Sequence, residues 1–189
     1  GKISVLVLVA IMVASMPAAA QRTDADQSFV RWMTAAGGTV GLGLDLFYLF
    51  TVHSEYPAEL PGAAFAIIAT TSVIQLGTAA AAGWGMGEMI VRLKPRWWQA
   101  GAGGPVYGAV TGALSFGLFM GTAFGIGVPT GAITINPDAA FWPSGVDTFW
   151  QAFPRGFLGG AMFGALYGAV IGLVAAPTAT IIYNRSVTE

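Results

Sequence analysis

Residues 156–182 read GFLGGAMFGALYGAVIGLVAAPTATII, and this stretch decides the class of the fold. It carries no charged side chain over a length that exceeds the roughly 20 apolar residues needed to cross a bilayer as a helix. Within it Gly156, Gly160, Gly164, Gly168 and Gly172 recur at intervals of four and lead to Ala176. Residues four apart share one helix face. A face stripped of side chains lets a second backbone approach closely, and in lipid that van der Waals contact drives helix association. Each helical glycine costs about 1 kcal/mol relative to alanine, so a run this regular implies compensation by packing. An interval of four also advances about 40° per step on a helix of 3.6 residues per turn. The ladder therefore spirals, and on a straight helix it reaches more than one neighbour.

Working outward, the preceding apolar block, residues 106–128, repeats the device. Gly104, Gly108 and Gly112 are followed, after a step of five, by Gly117, Gly121 and Gly125. Two more apolar blocks lie upstream, at 33–52 and 63–91. None alternates apolar and polar residues with the period of two that a membrane β-barrel requires. The backbone must satisfy itself in lipid, so the blocks are helices. The expected fold is an all-α integral membrane bundle of four glycine-rich transmembrane helices, a single unit over residues 21–189. Composition agrees: 55% of the 189 residues are hydrophobic and 9% are charged, against roughly 25% charged in soluble domains.

The first 20 residues have two readings. Lys2, the apolar run Ile3–Met16 and the small residues before Gln21 have the pattern of a secretory signal. They also approach the minimum length of a span and would then form a fifth helix. Positive charge orients the rest. Arg92, Lys94 and Arg96 cluster in one connection, and Arg22, Arg31 and Arg185 fall on the same side of four alternating spans. Lys and Arg are enriched on the cytoplasmic side, so the 92–104 connection and the C-terminus are expected there, in a bacterial inner membrane. A signal that starts inside conflicts with this parity. Either the 33–52 block does not fully cross or Gly1 lies outside.

Few polar groups enter the apolar blocks. Asp45 shares a helix face with Gly38, Gly41 and Tyr48, and a carboxylate at that depth needs a partner, water or a proton. It reads as an interhelical hydrogen bond, with Gln75 as one acceptor or donor, or as a proton or cation site. Glu88 and Arg92, four apart, read as an interfacial ion pair. His53, the one histidine, ends a span, and neither a bis-histidine haem nor a three-histidine metal site can form within one copy. With no cysteine, thiolate sites are excluded. The run Gly83-Trp84-Gly85-Met86-Gly87 lies in an apolar helix with no preceding strand, so it reads as packing and not as a phosphate loop. No hydrolase elbow or HExxH motif appears. The sequence points to no cofactor and no metal, and a net charge of −1 gives no basic field for nucleic acid.

Aromatic residues mark interfaces. Trp97 and Trp98 follow the basic cluster, where indoles anchor at headgroups. In the long connection 129–155, Trp142, Phe149, Trp150 and Phe153 are expected on an amphipathic piece at the outer surface, facing the membrane or a docking partner. Taken together these features suit a non-catalytic accessory or assembly subunit of a larger complex, of which an energy-transducing assembly is one instance. Its partners would be lipid and other transmembrane subunits. The alternative is a small oligomeric channel or transporter built on Asp45. A weak likeness between the last two spans at a shift of 48 positions is of the kind seen in inverted-repeat transporters.

Overall fold

The computed structural model describes residues 23–52, 61–134 and 146–188, with side chains throughout except at 45–52, 61, 64 and 188. They form four helices: α1 (Asp24–Val52), α2 (Pro61–Leu93), α3 (Trp97–Thr130) and α4 (Phe149–Thr188). Among the described residues there is no strand. Three helices, at Phe65–Leu93, Trp97–Thr130 and Phe149–Val187, are long and apolar enough to cross a membrane. The chain is a multi-pass membrane protein. The apolar end of α1 falls mostly on residues whose side chains lie outside the description, as do the first 22 residues and the 135–145 part of the long connection, which holds Trp142.

The helices extend past the blocks read from sequence. α3 starts at Trp97, upstream of position 106, and α4 at Phe149, upstream of 157. The Gly101-Ala102-Gly103-Gly104-Pro105 run resembles a loop, yet Gly104 is buried against α4, so tertiary packing overrides weak local propensity. Pro154 is tolerated near the helix start, where the turn before it has few intrahelical bonds to lose. Gln151 secures that start, its Oε1 accepting from the backbone N–H of Asp147 (3.0 Å) and of Thr148 (3.2 Å). At 40 residues, α4 is about 60 Å long, twice the hydrocarbon thickness of a bilayer. α3 ends where Gly131 adopts φ 72° and donates its N–H to the Val128 carbonyl (3.1 Å). Only a residue without a Cβ takes that left-handed geometry freely.

The connection between α2 and α3 is short. Lys94 sits at φ 43° and donates its N–H to the Ile90 carbonyl at 2.9 Å. Pro95 follows, and Gln99 Oε1 accepts the Arg96 N–H at 2.8 Å to start α3. Two antiparallel hairpins result, α1–α2 and α3–α4. A cluster of Phe29, Val30, Met33, Ile90, Val91, Ala179 and Tyr183 joins α1, α2 and α4 at one end. Ile67, Ala123 and Ala132 join α2 to the end of α3 at the other. Arg31, Arg92, Lys94, Arg96 and Arg185 belong to the first end and Arg155 to the second, as the element order dictates.

Candidate functional site

The glycine ladder of α4 sits along one neighbour. A methyl group at Gly104, Gly108 or Gly112 would strike the backbone carbonyl of Gly172, Gly168 or Gly164 respectively, and the reverse substitutions would strike the same partners. Further along, Gly160 faces the Phe116 carbonyl and Gly156 the Met120 carbonyl, at 2.6 Å from a methyl placed there. All five ladder glycines thus meet α3, where a straight ladder would have turned away. The two helices wrap around each other, which keeps an i, i+4 row in contact.

The second α3 run behaves differently. Gly117, Gly121 and Gly125 face the rings of Phe157, Phe153 and Phe149, which would lie 2.8, 2.9 and 2.6 Å from an added methyl. The rings stack in series, with centroids 5.4 Å apart for Phe149–Phe153 and 6.0 Å for Phe153–Phe157. Past the step of five between Gly112 and Gly117, backbone contact continues at Gly160 and Gly156, and ring-on-glycine contact is added beside it. Phe149 and Phe153 therefore differ from the outer-surface placement expected of them: the missing side chains on α3 make slots that their rings occupy. Trp150, 79% exposed, projects outward beside them. Trp97 and Trp98 are exposed on the first turn of α3.

A second seam joins α1 to α2. A methyl at Gly37 would meet the Ala79 carbonyl and one at Gly83 the Met33 carbonyl, while Gly41 would come within 3.0 Å of the Gln75 carbonyl. Gly87 lies 3.2 Å from Val30 by the same measure. Between Gly83 and Gly87, Gly85 faces the opposite way, and a methyl added there would lie 2.5 Å from the Tyr107 hydroxyl of α3. That hydroxyl donates to the Ala82 carbonyl at 2.6 Å. Alternate helix residues point about 200° apart, so one glycine run serves two neighbours.

Away from the end where Phe29 packs on Tyr183, α1 and α4 separate. The gap is a cleft of about 600 Å³ with walls from α1 and α4 and a floor from α2 and α3. Val40, Leu44, Phe119, Tyr167 and Ile171 line its sides, and the backbones at Gly37, Gly83, Gly108 and Gly168 are part of its surface. Polar groups sit on its floor near mid-helix. Gln75 is 3% exposed. The Ser115 hydroxyl approaches Gln75 Oε1 at 3.4 Å and shares a 2.7 Å hydrogen bond with Thr78. Thr111 lines the cleft one turn away and donates to the Tyr107 carbonyl at 2.9 Å.

Asp45 lies in α1, one helical turn beyond Gly41, with its side chain outside the described residues. Since Gly41 meets Gln75 and Ala79, the antiparallel register brings backbone position 45 opposite Gln75 and Thr71, both buried. Glu88 and Arg92 form the expected pair, Nε to Oε2 at 3.0 Å. His53 lies outside the described residues. Among those described, no three carboxylate or imidazole side chains come together in a way that could hold a metal ion.

Comparison with protein-family models, with curated proteins and with solved structures finds no match to this chain.

Proposed function

We propose that this chain is an accessory or assembly subunit of a larger complex in a bacterial inner membrane, and that its α1–α4 cleft seats a neighbouring transmembrane helix. The cleft carries the reading. Between the closed α3–α4 and α1–α2 seams the cleft is lined by small residues, Ala36, Ala79, Ala82 and Ala175, beside the polar Gln75, Thr111 and Ser115. Small residues at an open face allow a helix ridge to approach closely, and Ser, Thr and Gln side chains on such a face supply interhelical hydrogen bonds. The clustering of Arg31, Arg92, Lys94, Arg96 and Arg185 at one end supports a cytoplasmic location for that end.

The second reading is a small oligomeric channel or transporter. The register that sets backbone position 45 opposite Gln75 and Thr71 supports it, because an ionisable residue within a membrane segment is by default a candidate proton or cation site. One preparation separates the two. Purification in mild detergent followed by mass spectrometry should return unrelated membrane subunits in fixed stoichiometry. A pure homo-oligomer that moves protons in liposomes, and loses that flux in Asp45→Asn, would replace the first reading with the second.

A further inference from the structure

A separate apolar cleft of about 330 Å³ lies at the charged end of the bundle, between the end of α2 and the start of α3. Met86, Met89, Leu93, Gly103 and Tyr107 line it, and Pro95 closes its top. Pro95 is the middle residue of the turn that carries Lys94 and Arg96, so two exposed cations neighbour a cleft-lining residue in the chain. The turn is fixed: the Lys94 N–H is bound to Ile90 and the Arg96 N–H to Gln99. Neither side chain has an ion pair among the described residues, although the Asp26 carboxylate feels the field of Lys94. Arg92 is already held by Glu88. Trp97 and Trp98, 61% and 52% exposed, stand on the adjacent turn, at the depth where indoles meet headgroups.

We propose that this turn and cleft bind an anionic phospholipid, its phosphate between Lys94 and Arg96 and one acyl chain in the groove below. The chemistry of the site selects this occupant. Two cations that have no ion pair among the described residues, set beside exposed indoles, attract an anionic headgroup. The groove at Pro95 is lined mainly by apolar side chains, Met86, Met89, Ile90 and Leu93 among them, which suit an acyl chain. A soluble phosphate would use the cations and leave the groove empty; a zwitterionic lipid would fill the groove with less benefit from the cations. The proposal needs the chain to cross a membrane and is independent of whether it serves as an accessory subunit.

The test uses the full chain, delipidated in a neutral detergent. Retention of dioleoyl-phosphatidylglycerol and dioleoyl-phosphatidylcholine is compared by native mass spectrometry, with glycerol phosphate as the soluble competitor. The anionic lipid should be retained in preference. Lys94→Gln with Arg96→Gln should lower that retention by about thirtyfold, the factor expected of two interfacial cations. Arg155→Gln, which removes a cation from the opposite end, should leave it unchanged. Gly103→Leu gives an independent check. A side chain there enters open space, so the fold tolerates it, but it fills the groove and should lower retention with every charge intact. Equal retention of the two lipids would overturn the proposal. So would displacement by glycerol phosphate at matching concentration, or undiminished retention in Gly103→Leu.

Discussion

The α3–α4 seam and the α1–α4 gap are opposite solutions to packing helices in lipid. Along the seam, side chains are removed until two backbones touch, at Gly104 with Gly172, Gly108 with Gly168 and Gly112 with Gly164. Across the gap, α1 and α4 meet at one end, through Phe29 on Tyr183 at a centroid distance of 4.9 Å and a hydrogen bond from the Tyr183 hydroxyl to Asp26 (2.6 Å). Both helices carry glycines, so glycine content alone does not close an interface. Closure needs glycines that oppose one another in register over several turns. Where the glycines of two helices are each turned to another neighbour, as those of α1 are to α2 and those of α4 to α3, a cleft is left between the two.

The largest effect should come from breaking the seam at its tightest point. Gly168→Leu forces apart backbones that cannot yield, since its neighbour is the Gly108 main chain. The cost should exceed the ~3 kcal/mol typical of overpacking, read as loss of a cooperative thermal transition and of monodisperse protein in detergent. Gly159→Leu on the same helix enters open space and should unfold near wild type. Equal sensitivity of the two would show that glycine matters to α4 for a reason other than its contact with α3.

A smaller effect distinguishes the two halves of the seam. Gly117 is met by ring atoms of Phe157 alone, and a side chain can move where a backbone cannot. Gly117→Ala should cost about 1 kcal/mol, and Phe157→Leu in the same chain should recover most of it. A double-mutant cycle measures this as a coupling of opposite sign to the single losses. Gly108→Ala has no such rescue, because its partner Gly168 has no side chain to shorten. Additive losses at 117 and 157 would mean that the ring does not depend on the slot.

These contrasts show which features are legible before any coordinates. The interval of four in residues 156–172 is visible because each glycine is separately improbable in a helix and the spacing matches a helix face. The helix starts are not visible, because Gly101–Pro105 and Pro154 have the local chemistry of loops and only the packing of α3 on α4 makes them helical. The phenyl slots were hidden because the rings and the glycines they cover lie about 30 residues apart. Each run alone, Phe149, Phe153, Phe157 or Gly117, Gly121, Gly125, has an ordinary reading as lipid-facing or as close packing. The α1–α2 seam was written as Gly37 and Gly41 opposite Ala79, Gly83 and Gly87, also at intervals of four. It was masked by the general abundance of small residues in these helices. The cleft was not legible, because it arises from the angle at which two hairpins meet.

The smallest effect concerns the hydrogen bond that joins α4 to α1. The Tyr183 hydroxyl bonded to Asp26 holds that carboxyl below its ordinary value near 3.8, with Thr23 and the charge of Lys94 adding to the shift. The sign follows from linkage. A carboxyl whose pKa is depressed by folding stabilises the folded state fully above its unfolded value and loses that contribution as pH falls through the folded one. The stabilisation should therefore be complete at neutral pH and decline below about pH 4. Asp26 is partly open to water, and screening keeps the effect under about 1 kcal/mol. Tyr183→Phe removes the donor while keeping the ring on Phe29, so it should flatten the acid limb of a melting-temperature profile and leave the neutral-pH fold intact. Asp26→Asn, which also removes the contributions of Thr23 and Lys94, should flatten it further. If Tyr183→Phe instead lowers stability by the same amount at pH 3 and pH 7, the hydroxyl serves a neutral hydrogen bond and the carboxylate charge does not latch α1 to α4.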